Sequence, residues 1–342
     1  LGSLETLPDT VQAPLLRAVV RCVDATRDGP QASAEHVRSL YYPLIVQAAQ
    51  TRMNAAALAP SPLSVQSALA LWCALAEAAD PSTSGLVHVH LCTQLPAMTA
   101  LVSHQAAQAD VQITAMQAMH ALLRAAPELD AAVLPDLARH TFMLLETAHA
   151  CLGTVRDPDA TQESVIVTYL HVVEELVRAC TEAPMLHTWC LRALEIMAPV
   201  LSLDVLRIPS ISEALATLIH AMLIILRPAL LASAQSAEPV PDLAAPFDEP
   251  CLARVPAFQL VVRASMYLIG TCDARTESVA SAVAQGLGYV AEGLPSFTSP
   301  CPAAQVVMDD VIRQLCLLLF LRPMQPAMLT PLVLALRRTV LS

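Results

Sequence analysis

Apolar stretches about 15–20 residues long, patterned at helical spacing and separated by short clusters of Pro, Asp and Ser, follow one another through the chain. A stretch such as Val65, Leu69, Trp72, Cys73 and Ala76 gathers its apolar side chains on one helical face. Strands would need alternation and runs of aromatic or β-branched residues, but aromatics are only 4% of the chain and the apolar bulk is Ala, Leu and Val. The 26 prolines fall mostly between the periodic stretches or in their first turns, where a missing N–H costs little. The fold class expected is therefore all-α: an α-solenoid of about eleven to thirteen helices stacked as antiparallel pairs.

Helices are expected over Val11–Asp28 and Ala34–Leu58, with Ser33 as N-cap and Pro43 kinking or splitting the second. Ser64–Ala79 follows, then a segment from Pro81 to about Ala107 with a kink at Pro96. Asp110 is expected to cap a helix reaching Ala126, striped by Val111, Ala115, Met119 and Leu122 and widened by Met116 and Leu123. Leu129–Leu152 with Pro135 in its first turn, Thr161–Ala179, Met185–Leu201 and Ile211 to about Ala234 complete an N-terminal array over 4–234. Residues 235–253, with four prolines and Glu238, Asp242, Asp248 and Glu249, read as an acidic loop or disordered insertion. C-terminal helical pairs continue the array over 254–342. Residues 1–3, Leu-Gly-Ser, read as a vector-derived scar on a piece of a larger protein.

Asp110-Val111-Gln112-Ile113-Thr114-Ala115-Met116 through Leu123 resembles the second helix of a HEAT repeat, which typically opens on Asp-Val and carries small residues where helices cross. Helix starts near Ser64, Asp110, Asp159 and Ser210 recur at 46–51 residues, close to the period of HEAT and armadillo repeats. Gln112 stands where that family usually has Arg. The resemblance implies a HEAT-like solenoid that holds other proteins.

Charge and cysteine usage bound the function further. A net charge of -11 argues against nucleic acid or anionic lipid and suits peptide or helix ligands of basic character. The ten cysteines sit mostly inside apolar helical stretches with no Cys-x-x-Cys spacing, which points to reduced, buried thiols in an intracellular protein, cytoplasmic or nuclear. Mean hydropathy is +0.54, yet the strongest apolar run, Ala214–Leu226, is broken by His220 and too short to span a bilayer, so no membrane insertion is expected.

Chemistry-bearing patterns are few. His88, His90 and Cys92 alternate, which would converge metal ligands on a strand but splays them around a helix. Glu146…His149 and the reversed His171…Glu174 have the spacing of di-iron bundle ligands without the additional glutamates such a centre needs. No Gly-x-Ser-x-Gly elbow, phosphate loop or His-Glu-x-x-His pair occurs, and Gly286 and Gly288 read as close helix packing or a helix end. Tyr41, Tyr42, Arg337 and Arg338 are candidate partner contacts or ordinary groove and helix-end residues. The expectation is a non-enzymatic protein–protein interaction scaffold, a subunit of a larger complex, with no catalytic, cofactor-binding or metal residues. The alternatives are a nuclear transport receptor of the importin-β and exportin type, and a helical enzyme or metal protein whose site forms only in three dimensions.

Overall fold

The structure is a computed structural model that describes residues 9–24, 31–79, 85–153, 155, 157–181, 183–230 and isolated positions from 261 to 337. Most of the described residues are helical, and no strand occurs among them. The expected loop over 235–253 lies outside them. In order the helices are α1 (Asp9–Asp24), α2 (Gln31–Leu58), α3 (Pro62–Ala78), α4 (Gly85–Thr93), α5 (Leu95–His104), α6 (Ala109–Arg124), α7 (Leu134–Leu152), α8 (Ala160–Ala179), α9 (His187–Met197), α10 (Leu203–Leu206) and α11 (Pro209–Ile225). Single 3-10 turns cover Ala126–Glu128 and Pro184–Leu186. The chain forms two compact units, one of Leu1–Gly153 with Asp159–Leu186, the other of Thr154–Pro158 with His187–Ser342.

Several helix ends differ from those the sequence suggests, each for a local reason. The second helix starts at Gln31, so Ser33 lies inside its first turn and is not the cap. Pro43 neither splits nor ends that helix; its ring is exposed, so the carbonyl one turn back that loses its partner faces solvent. Pro96 breaks the chain outright, because Gln94 separates α4 from α5 and the proline takes the second position of α5. The helix expected from Leu129 begins only at Leu134: Asp130 Oδ1 accepts from the Ala132 N–H at 2.9 Å, holding a turn ahead of Pro135. Asp110 does not cap α6, whose N-cap is Gln108; Asp110 sits in the first turn, where a carboxylate complements the helix dipole.

Side-chain caps form at Ser61 and Asp159, both as capping boxes. Ser61 and Ser64 satisfy each other's backbone N–H groups ahead of α3, and Asp159 and Gln162 do so ahead of α8. Such a cap contributes about 1 kcal/mol. At the far end of α7 the chain leaves through Gly153 at φ 59° and ψ -142°, a backbone region open essentially to glycine alone.

In the first unit the helices pack in two rows. Helices α1, α3, α6 and α8 follow one another as direct neighbours; α2, then α4 and α5, then α7 lie behind them. The row members α3, α6 and α8 are the helices whose starts recur in the sequence. Alternation arises because each connection sends the chain to the second row and back. The core lies between the rows: Leu69, Leu75, Ala115, Met119, Leu122, Leu145, Ile166, Leu170 and Val173 are all fully buried. Each large side chain so buried stabilises the fold by about 1.5–3 kcal/mol. α3, with α1 on one side and α6 on the other, is buried almost all round over Ala68–Ala76.

Buried Gln112 fastens α6 to α5. Its Nε2 donates to the carbonyls of Val102, at 3.4 Å, and Gln105, at 3.2 Å, which lie at the C-terminal end of α5 where helical partners run out. Thr99 of α5 also bonds His140 Nδ1 of α7 at 3.2 Å, so a buried polar link ties two members of the second row.

In the second unit, α11 is buried along Ile211, Leu215, Leu218, Ile219 and Met222. Among the isolated C-terminal positions, Val261, Ala264, Ser265 and Leu268 are helical and buried at helical spacing. Gly286 marks a close approach, as its sequence setting suggests: a Cβ there would lie 2.9 Å from Leu223 Cβ and 3.2 Å from its Cδ1. Gly286→Ala is therefore expected to destabilise the unit by about 1–3 kcal/mol. Thermal melts check this: a lowered midpoint is expected, and an unchanged or raised one would contradict the close approach, whose nearest atom is Leu223 Cβ.

Candidate functional site

The row α1–α3–α6–α8 has one side against α2, α5 and α7 and the other turned outward. On the outward side, near the C-terminal ends of α3, α6 and α8, polar side chains link across the helix seams. Arg17 of α1 pairs with Glu77 of α3, and Cys73 donates to the same carboxylate at 3.6 Å. Across the seam between α6 and α8, His120 Nε2 is 3.8 Å from Glu175 Oε1, and its ring stands edge-on to His171 with centroids 6.4 Å apart. His171 Nδ1 lies 3.6 Å from Glu174 Oε2, and Arg178 donates to Glu174 Oε1 at 2.6 Å while facing Glu175 at 3.9 Å.

Burial and neighbours set the protonation of this strip. His120 is held below the ordinary histidine value of 6.5 by burial first, then by His171 and Arg124, against the opposing pull of Glu174 and Glu77. Burial also pushes the Glu175 carboxyl up, with Arg178 and Arg124 acting against it. The Arg178 guanidinium is held charged more firmly by its bond to Glu174. Arg17 thus pairs with Glu77 and Arg178 with Glu174, and the half-buried His120 is shifted toward its neutral form. The strip can exchange its pairings for those of a polar partner. It aims no activated nucleophile at a substrate, since the Cys73 thiol is pushed up to about 12 by burial and by Glu77.

The residues singled out in the sequence are dispersed by the fold. His88, His90 and Cys92 lie on α4, where positions two apart point about 200° from one another. Glu146 of α7 acts on the buried Tyr169 phenol, while His171 faces His120 and Glu174. Among the described residues no three His, Cys, Asp or Glu side chains group around a metal position. Tyr42 is buried and Tyr41 exposed, so only the second can meet a partner. Arg337 is a helical, exposed residue; Arg338 and Gly288 lie outside the described residues. The strip itself escaped the sequence reading, although Glu77, Arg124 and Arg178 all fall in the last turn of a row helix, a signal visible once helices are aligned on their starts.

None of the seven described cysteines is bridged. Burial pushes Cys92 up to about 12 and raises Cys151 as well, whereas Cys22 is exposed. Alkylation of the native chain at about pH 8 is expected to modify Cys22 well before Cys73 or Cys92, as peptide mass spectrometry would read. Equal rates would contradict the burial.

Acid sensitivity follows from the histidines. His90, His120, His140 and His149 are all held below 6.5 by burial. The unfolded chain therefore takes up protons first as pH falls below 6.5, and stability present above that value is lost toward the lower folded values. Glu175, whose shift is upward, works the other way at more acid pH. Urea midpoints should drop between about pH 7.5 and about pH 5.5, and His140→Gln should shrink that drop. A flat profile would contradict the assignment.

No family model matches the chain, and no curated protein is similar to it in sequence. No helix among the described residues is long and apolar enough to cross a membrane.

Proposed function

We propose that the chain is a HEAT-like α-solenoid acting as a non-enzymatic protein–protein interaction scaffold in a reducing, intracellular compartment, where it assembles a multi-subunit complex. One observation carries this reading: a row of like helices, α1, α3, α6 and α8, bears paired polar side chains on its outward side, across the α1–α3 and α6–α8 seams. Such a surface recognises shape and charge along several helices at once. The overall net charge of -11 favours partner segments of basic character.

Affinity purification with quantitative mass spectrometry tests it. The wild-type chain is compared with Gln117→Arg/Arg124→Glu, two exposed positions on the outward side of α6 whose change leaves the core untouched. The expected result is a defined set of partners that the variant loses while its circular dichroism stays unchanged. An identical partner set would contradict the assignment of the surface, and turnover of a small molecule by the purified chain would contradict the scaffold.

A further inference from the structure

We propose that the α1–α2 end of the row is a second docking surface, and that its occupant is an amphipathic helix with acidic flanks. This deepens the scaffold reading and rests on it. α1 ends the row, with α2 and α3 as its neighbours. At 100° per residue, Val11, Leu15, Ala18 and Cys22 fall within about 60° of one another and about 130° from Arg17, which reaches toward α3. All four are exposed, Val11 by 45% and Leu15 by 40%. On α2, Tyr41 and Leu44 are exposed by 46% and 47%. The α1 ridge is about 16 Å long, the length of three helical turns.

Charge selects the occupant. Residues 11–23 and 36–58 contain Arg17, Arg21, Arg38 and Arg52 and no Asp or Glu, in a chain whose net charge is -11. The acidic residues of these helices, Asp9, Asp24 and Glu35, stand at their ends. Among the described residues no ion pair to a carboxylate forms at Arg21, which is exposed. An exposed apolar ridge on helices that carry arginines and no carboxylate over these ranges fits an α-helix whose apolar stripe is edged by Glu or Asp. A second copy docking by the same face would set these arginines against their own kind. A strand has no edge to join here, because no strand occurs among the described residues.

The test is a displayed library of three-turn helices with a fixed leucine stripe and flanks randomised among Glu, Gln and Lys, selected on the full chain. Glu flanks should be enriched, Arg21→Glu/Arg38→Glu should turn the preference to Lys, and Leu15→Glu/Leu44→Glu should weaken the best acidic helix by about tenfold or more. Enrichment of Lys flanks on the wild type, or no effect of the leucine changes, overturns the proposal. So does binding of phosphatidylserine vesicles with no helix enriched, which would make the face a lipid contact, or a dimer abolished by Leu15→Glu, which would make it a self-contact. The charge-swap arm still decides should the leucine variant fail to fold. Partners retained by the leucine variant but lost by Gln117→Arg/Arg124→Glu would sink this surface alone, whereas no specific partner for any form would sink the scaffold reading itself.

Discussion

Trp72→Ala is expected to cost the first unit about 3–5 kcal/mol, the upper range for a core truncation. Trp72 lies on α3 at 2% exposure, and α3 packs against α1, α2, α4, α5 and α6. Truncating a large side chain in a helix packed on so many sides leaves a cavity. Urea denaturation would show the loss as a lower midpoint. If the first unit unfolds as a block, its near-ultraviolet and backbone signals fall together. A loss under about 1 kcal/mol would mean that α3 is not the centre of the row.

Leu122→Ala is expected to cost about 2–5 kcal/mol. Leu122 is fully buried on α6, the helix flanked by α3 and α8 and backed by α5 and α7. Truncating Leu63, 78% exposed at the start of α3, removes a similar side chain and should change stability by less than about 0.5 kcal/mol. The contrast isolates burial from residue type. Similar costs at both positions would contradict the packing of α6.

The helices were legible because burial writes a period into the sequence. Val111, Ala115, Met119 and Leu122, read as one stripe, are all buried in α6, with Met116 and Leu123 beside them. Helix starts were legible where the cap is local, as at Asp159, and illegible where tertiary contacts decide. Asp110 has the residue type of a cap, but the turn after His104 and the grip of Gln112 on the α5 carbonyls set the start of α6 at Ala109. That grip accounts for a buried glutamine at this position.

The polar strip was harder to see for a different reason. Its cross-helix partners, such as Arg17 with Glu77 and His120 with Glu175, are more than fifty residues apart in sequence. The short-range contacts His171–Glu174, Glu174–Arg178, Glu175–Arg178 and Cys73–Glu77 follow from helical spacing. Likewise His171 reads as half of a Glu-x-x-His echo, yet its neighbour across the seam is His120. Sequence spacing shows which residues share a helix face; the order of helices in the row shows which faces meet.

In-cell photocrosslinking most directly tests whether the outward side of the row holds partners. A photoreactive residue is placed at Gln117, exposed on α6, and separately at Met143, exposed on α7 of the second row. The scaffold reading predicts a discrete protein adduct from position 117 and little from position 143. Adducts confined to position 143, or none at position 117 while the chain captures its partners, would contradict it.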